Sequence, residues 1–383
     1  MKKGNRGNLL IYGFYIGMVF GTLAKGPVGF ILPLLVSLAY LSVQRDWKGI
    51  KGMKLVPGLL IMFVLISAWY LPALMKGGKD YFDATLLHHT MDRFAKGTSH
   101  LRPFYYYIYN FPADFLPWIL FLPAAVAYGF SKEVFEKRKE FLFLLIWFSV
   151  IFLFFSLSKG KRGLYLLPLF PAVSLMVGKL WDDFISASAE GFHQGWLSIA
   201  FHILTGLILI VGAAIPWMVL KKFPHYFPYS LPVVFLFAGG GIALFLLNRF
   251  KRRAAMFFLI VGMMAGGFFY TLRVVFPLIN PYKSARFISQ EITTRIQSGE
   301  KLAIYGDFVI APYNYYTGIV PILEIEIEKR EEFTRFLQSE KRVFCLMKFR
   351  DFSQIQAMEG GPKMQWIARR NVGGDDMVLI SNR

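Results

Sequence analysis

Nine apolar runs, each long enough to cross a bilayer as a helix, constrain this chain more than any other feature. They lie at about 8–24, 27–43, 54–75, 112–130, 140–157, 163–180, 196–220, 230–248 and 254–273. A span needs roughly 20 apolar residues. Within hydrocarbon every backbone N–H and C=O must be satisfied inside the protein, so the helix is the form open to such runs, and Pro and Gly within them are tolerated. The 383 residues are 55% hydrophobic and include 40 Phe and 19 Tyr, usage that suits lipid-facing and interfacial positions. A soluble protein is thereby excluded, and the fold class is a polytopic α-helical membrane protein of about nine transmembrane helices. The basic start MKKGNRGN leads into the first run without a small-residue cleavage pattern, so that run reads as a retained span.

The composition changes after residue 279. Charges return and the apolar runs give way to short alternating segments, which marks residues 280–383 as a small soluble α/β domain behind a helical domain over 1–279. Strands are expected at Lys301–Tyr305, Ile319–Glu326, Arg342–Met347 and Met377–Ile380, with a helix over Glu328–Ser339. No phosphate loop, metal motif or nucleophile elbow stands out in this domain. The lone Cys345 excludes an intramolecular disulfide.

Lys and Arg in the loops set the orientation. The N-terminal tail, QRDWKGIKGMK after the second run, SKEVFEKRKE after the fourth and NRFKRR after the eighth fall on one side, read as cytoplasmic. The opposite side then holds Lys25–Pro27, outer loops at 76–111, 158–163 and 221–230, and the C-terminal domain. A net charge of +19 in a soluble chain would point to nucleic acid. Here most of it lies in short loops, so it reads as topology and attraction to anionic lipid. SKGKRG at 158–163 places Lys159, Lys161 and Arg162 on the outer side, against the trend.

Three groups on that side carry candidate chemistry. Asp80–Tyr107 gathers His88, His89, His100, Arg93, Lys96 and Arg102 before an aromatic block, Phe104–Tyr107. On a helix His89 and Arg93 share a face, with His88 nearby. Arg can clamp a phosphate, and His can ligate a divalent metal. Asp83, Asp92 and His100 are further ligand candidates for such a metal, although the spacing demands none of them. In the second group, Lys159 and Lys161 precede a span with Tyr165 in its first turn, and helix N-termini attract anions. In the third, Lys25 ends an apolar run before Gly26–Pro27. It is either a substrate-side cation or a snorkelling residue at a helical hairpin.

The ordered set GTLAKGPVG, SAWYLPA, HHTMDRF with PFYYY, FPADFLPW and SKGKRGLYLLPLFPA resembles the lipid-linked-sugar glycosyltransferases of the aminoarabinose transferase and protein O-mannosyltransferase type, glycosyltransferase family 39 and its bacterial relatives. The resemblance covers about residues 8–180. It implies a GT-C-like membrane fold and a donor sugar carried on polyprenyl phosphate or diphosphate. Transfer would occur on the extracytoplasmic face, with inversion, to an acceptor lipid or protein. It implies that His88 ligates a metal beside the site, that Arg93 faces the lipid phosphate, and that Lys159, Lys161 and Tyr165 belong to the loop holding that phosphate. Positive charge aimed at a phosphate leaving group stabilises the transition state.

The chain departs from the family at its start. Relatives begin with about four more spans, and their outer loops carry the acidic residue taken as catalytic base. This chain begins at what looks like the fifth span. Asp80, Asp83, Asp92 and Asp114 lie on the outer side, but none matches the base's motif, so no catalytic residue is assigned. The expectation is a C-terminal portion of such an enzyme, without transferase activity on its own. Two other readings remain at this point. One is a transporter or flippase of a lipid-linked anion, against which the charges sit in outer loops rather than at mid-bilayer. The other is a non-catalytic partner of a split glycosyltransferase.

Overall fold

The computed structural model describes residues 3–82, 101–131, 138–186, 194–357 and 361–383. The chain divides into two compact units, Met1–Val261 and Gly262–Arg383. The change of composition at residue 280 falls later than this division, because a long helical segment, Arg253–Lys283, runs through both positions.

The first unit is helical. It contains α1 (Lys3–Lys25), α2 (Val28–Val43), α3 (Trp47–Gly52), α4 (Leu55–Phe82), α5 (Tyr106–Asp114), α6 (Leu122–Gly129), α7 (Arg138–Leu157), α8 (Phe170–Ile185), α9 (Gln194–Lys222), α10 (Leu231–Val234) and α11 (Gly240–Arg249). Every one of the nine expected runs is helical. Among the described residues, seven helical segments are long and apolar enough to span a membrane. The run at 112–130 is instead a pair, α5 with Trp118–Gly129, bent by 107°. Proline explains the break: Pro112 and Pro117 each lack an amide donor, and Pro117 stands in the gap between the two pieces. The remaining run forms α2, which has 16 residues. The chain is an integral, multi-pass membrane protein.

Tight glycine contacts set the packing of the first helices. Gly26 has φ +74°, which lets the chain reverse between α1 and α2. A Cβ on Gly29 would lie 2.1 Å from the carbonyl carbon of Gly21, so the two backbones touch. Below them Tyr15 is fully buried against Gly58 of α4 and donates its hydroxyl to Met53 O at 2.9 Å. A second core joins α6, α8 and α9. Phe121, Trp181 and Phe201 meet there edge to face at 5.1–5.5 Å, a geometry that aligns ring edges with ring faces. At the end of α8 the Tyr128 hydroxyl donates to Asp183 at 2.8 Å, and Lys179 pairs with the same carboxylate at 2.5 Å. That buried acid therefore has both a donor and a counter-charge.

The second unit begins within α12 (Arg253–Tyr270) and continues through α13 (Phe276–Lys283), α14 (Arg286–Thr293), β1 (Lys301–Tyr305), α15 (Ala311–Thr317), β2 (Leu323–Ile325), α16 (Arg330–Leu337), β3 (Val343–Lys348), α17 (Phe349–Gln356), β4 (Gln365–Val372) and β5 (Asp375–Ser381). The sheet order is β2-β1-β3-β5-β4. β1 runs parallel to β2 and β3, whereas β5 is antiparallel to β3 and β4. Alternation along the strands feeds two cores. Leu302, Ile304, Phe344 and Leu346 pack with α14 and α15, while Ala303, Tyr305, Val343 and Cys345 pack with α16 and α17. The strands read from the sequence at β1, β3 and β5 are present, and the second is shorter than expected.

Candidate functional site

The site is built on a short extended strap, residues 158–162, between the end of α7 and a 3-10 turn at Gly163–Leu169. The strap is sewn to the chain entering α5. Leu101 and Gly160 form an antiparallel bridge, and the Arg102 amide donates to Lys159 O at 3.4 Å. Lys161 Nζ donates to Arg102 O at 3.3 Å and also to Ser158 O. From α5 the Tyr107 hydroxyl donates to Arg162 O at 3.0 Å. The carbonyls of Ser158, Lys159, Gly160 and Arg162 are thus each paired, as burial requires.

Beside the strap lies a cavity of about 780 Å³ between α1, α2, α7 and the 3-10 turn. Its two ends differ chemically. One end is polar, formed by Lys25, Ser158, Gly160, Arg162 and Tyr165. The rest is apolar, walled by Leu32, Val36, Phe143, Trp147, Ile151 and Phe155. Along α7 the lining runs from Ser158 back to Phe143, about 22 Å at the helical rise. Trp147 donates its indole N–H to Pro168 O at 2.9 Å and Ser37, also in the lining, donates its hydroxyl to Pro33 O at 2.8 Å, so these polar atoms of the wall are satisfied. Tyr165 packs its ring against Phe155 at 5.4 Å between centroids and sits where the two ends meet. The arrangement suits an amphiphile with an anionic head and a long hydrocarbon tail.

The residues singled out from sequence fall in different places. Lys25 and Tyr165 line the cavity together, although 140 positions of chain separate them in the numbering. Lys159 is exposed on the strap. Lys161 is buried, with 3% of its surface exposed, and burial pushes its ammonium below the ordinary lysine range. His88 and Arg93, with His89, His100, Asp83 and Asp92, lie outside the described residues. Asp114 ends α5 beside the strap, where a Cβ on Gly163 would come within 3.3 Å of its carboxylate. Among the described residues no group of three or more His, Cys, Asp or Glu is placed to hold a metal ion. Arg162, named from sequence as part of the outer basic cluster but not among the individual site residues, is the strap cation that lines the cavity. The signal for it is alternation. Arg162 is extended, with φ −135° and ψ 146°, so it and Lys161 face opposite ways.

No family model matches the chain. An undecaprenyl phosphate-alpha-4-amino-4-deoxy-L-arabinose arabinosyl transferase 2 of Proteus mirabilis is 32% identical over 223 residues, covering 57% of this chain and 38% of that protein. A transferase of the same description from an Enterobacter species is 28% identical over 221 residues, 57% of this chain and 39% of its own. An uncharacterised protein of Aquifex aeolicus is 28% identical over 283 residues, 73% of this chain and 50% of its own. The chain thus spans half or less of the length of these relatives. Among solved structures, ArnT from Cupriavidus metallidurans bound to undecaprenyl phosphate aligns with a TM-score of 0.73 at 18% identity, covering 97% of this chain and 69% of that one. Its apo form aligns at 0.71. The chain therefore resembles the lipid-linked-sugar glycosyltransferases of the aminoarabinose transferase type in sequence over more than half its length, and it has their membrane fold.

Proposed function

We propose that this chain carries the donor-lipid site of a membrane glycosyltransferase. The enzyme would move a sugar from polyprenyl phosphate to an acceptor lipid or protein on the extracytoplasmic face. The observation that carries the reading is a cavity that joins a cationic end to apolar walls. Lys25, Arg162 and Tyr165 would meet the phosphate, and the α2 and α7 walls would take the isoprenoid chain. Lys159 adds charge at the strap, and Arg93 joins the phosphate through the resemblance alone. The names of the relatives and the ligand in the solved ArnT structure support the same ligand class.

The chemistry follows from the leaving group. Breaking the bond between the sugar and the phosphate leaves negative charge on the phosphate oxygens. Cations already oriented toward that position stabilise the charge without reorganising. A low-dielectric wall beside them strengthens the effect. A carboxylate base would be needed where the acceptor is a hydroxyl, and none is assigned to this chain. A divalent metal at His88 belongs to this reading, and elemental analysis of the wild type against His88→Ala tests it. So does an extracytoplasmic position for the C-terminal unit.

Binding of undecaprenyl phosphate and of undecaprenol to the purified chain tests the whole. The phosphate is expected to bind more tightly than the alcohol. Lys25→Gln should remove on the order of 1–3 kcal/mol of phosphate binding, the range for a charged hydrogen bond, and leave the alcohol unaffected. Equal binding of the two lipids by the wild type would overturn the proposal. Movement of labelled lipid across liposomes, with no acceptor present, would favour a transporter instead.

A further inference from the structure

The strap carries three cations, and their environments differ sharply. Lys159 is exposed and Arg162 lines the cavity, but Lys161 is turned away into the protein. Among the described residues, the partners of its Nζ are backbone carbonyls, Arg102 O and Ser158 O. One belongs to the segment entering α5 and the other to the start of the strap. An ammonium has three donors and no acceptor, so one lysine can hold two converging carbonyls at once. Charged donors make the stronger hydrogen bonds, which offsets part of the cost of burying the group. The Tyr107 hydroxyl makes a similar tie one residue later, to Arg162 O.

We infer that Lys161 is a positioning residue that braces the strap through Arg102 O and Ser158 O, so that Arg162 and Tyr165 present their side chains to the lipid phosphate. This rests on the polyprenyl-phosphate reading of the cavity and assigns different work to two adjacent cations. Arg162 contacts the phosphate, whereas Lys161 fixes the backbone from which Arg162 and Tyr165 project. Tyr165 belongs to the same unit, since its amide donates to Arg162 O at 3.1 Å. Lys161 and Tyr107 therefore act on one object from two sides.

Four variants of the full chain separate the roles: Lys25→Gln, Arg162→Gln, Lys161→Met and Tyr107→Phe. Each is assayed in detergent for undecaprenyl phosphate and for undecaprenol, over a range of salt. Lys25→Gln and Arg162→Gln are expected to weaken phosphate binding about tenfold each and to flatten its salt dependence, because a contact between charges is screened. Lys161→Met should also weaken phosphate binding, and because the charge contact it loosens is that of Arg162, adding Lys161→Met to Arg162→Gln should weaken binding no further. Lys161→Met alone should speed hydrogen exchange in residues 158–163. Tyr107→Phe should act in the same direction, and the double variant Lys161→Met with Tyr107→Phe should be no worse than Lys161→Met alone. Met keeps the length of the lysine stem, and Tyr107→Phe removes only a hydroxyl, so the pair remains informative if one variant folds poorly. Effects of Lys161→Met that add to those of Arg162→Gln and of Tyr107→Phe, with hydrogen exchange in residues 158–163 unchanged, would make Lys161 a direct ligand and overturn the inference. Unchanged phosphate binding in both Lys25→Gln and Arg162→Gln would remove the phosphate site itself, a different failure.

Discussion

Gly29 and Gly21 decide how closely α1 and α2 approach, and both line the cavity. The space around each glycine ranks the cost of adding a methyl group. At Gly29 a Cβ would sit 2.1 Å from backbone, at Gly21 the nearest atom is at 3.1 Å, and at Gly17 nothing lies within 4 Å. Backbone cannot rotate aside as a side chain can. Gly29→Ala should therefore destabilise by about 1–3 kcal/mol, the range for overpacking, and weaken lipid binding by deforming the wall. Gly21→Ala should cost less and Gly17→Ala nothing measurable. Thermal unfolding in detergent reads the series, and equal effects at all three positions would show that the hairpin contact is not limiting. At this scale the sequence offers Lys25, with snorkelling as its alternative, and Tyr165 as candidates, because a cation beside helix breakers and a tyrosine at a span's start are visible in the string, and both line the cavity. It was silent on the split between Lys161 and Arg162. The partners of Lys161 are main-chain carbonyls, which no residue letter advertises.

Elements were legible where burial imposed a period. β1, β3 and β5 alternate between two filled cores and were read directly. β4 was not, since QWIARRNV is an edge strand whose residues are mostly exposed and carry charge, as edges commonly do. The bend between α5 and α6 was read as one straight span, because hydropathy averages across the prolines that break it. One polar tie now joins α14 to that edge. Glu291 pairs with Arg295, in the turn just past the end of that helix, and with Arg370 of β4 at 3.6 Å. The Arg295 hydrogen bond, with help from Arg370, holds the Glu291 carboxyl below the ordinary glutamate range. A carboxyl lowered in the fold contributes stability above its unfolded pKa, and that stability is lost as pH falls through the folded value. Hydrogen exchange of residues 286–293 and 365–372, corrected for intrinsic rates, should accelerate as pH drops below the ordinary glutamate range. Glu291→Gln should remove that pH dependence, and a persistent dependence would place its origin elsewhere.

For the whole molecule, the lysine and arginine counts of the loops predict which side each unit faces. The ends of α1 and α7 and the entry to α5 gather at one end of the helical unit, as alternating spans require. Whether the C-terminal unit faces the same side can be read chemically. Cys345 is the one cysteine, is fully buried, and has its thiol pKa pushed up by burial, so the background to maleimide labelling is silent. With Glu331→Cys on α16, an impermeant maleimide should label intact spheroplasts. With Arg252→Cys, labelling should require lysis. The reverse pattern would invert the topology. The cavity described above has a further consequence for how such a protein meets its ligand. On the proposed reading, a tail held between α2 and α7 would never need to leave hydrocarbon, so the ligand would arrive by lateral diffusion within one leaflet. Occupancy would then follow the mole fraction of that lipid among its neighbours, not its amount per litre, with ordinary phospholipids or micelle-forming surfactants as its standing competitors.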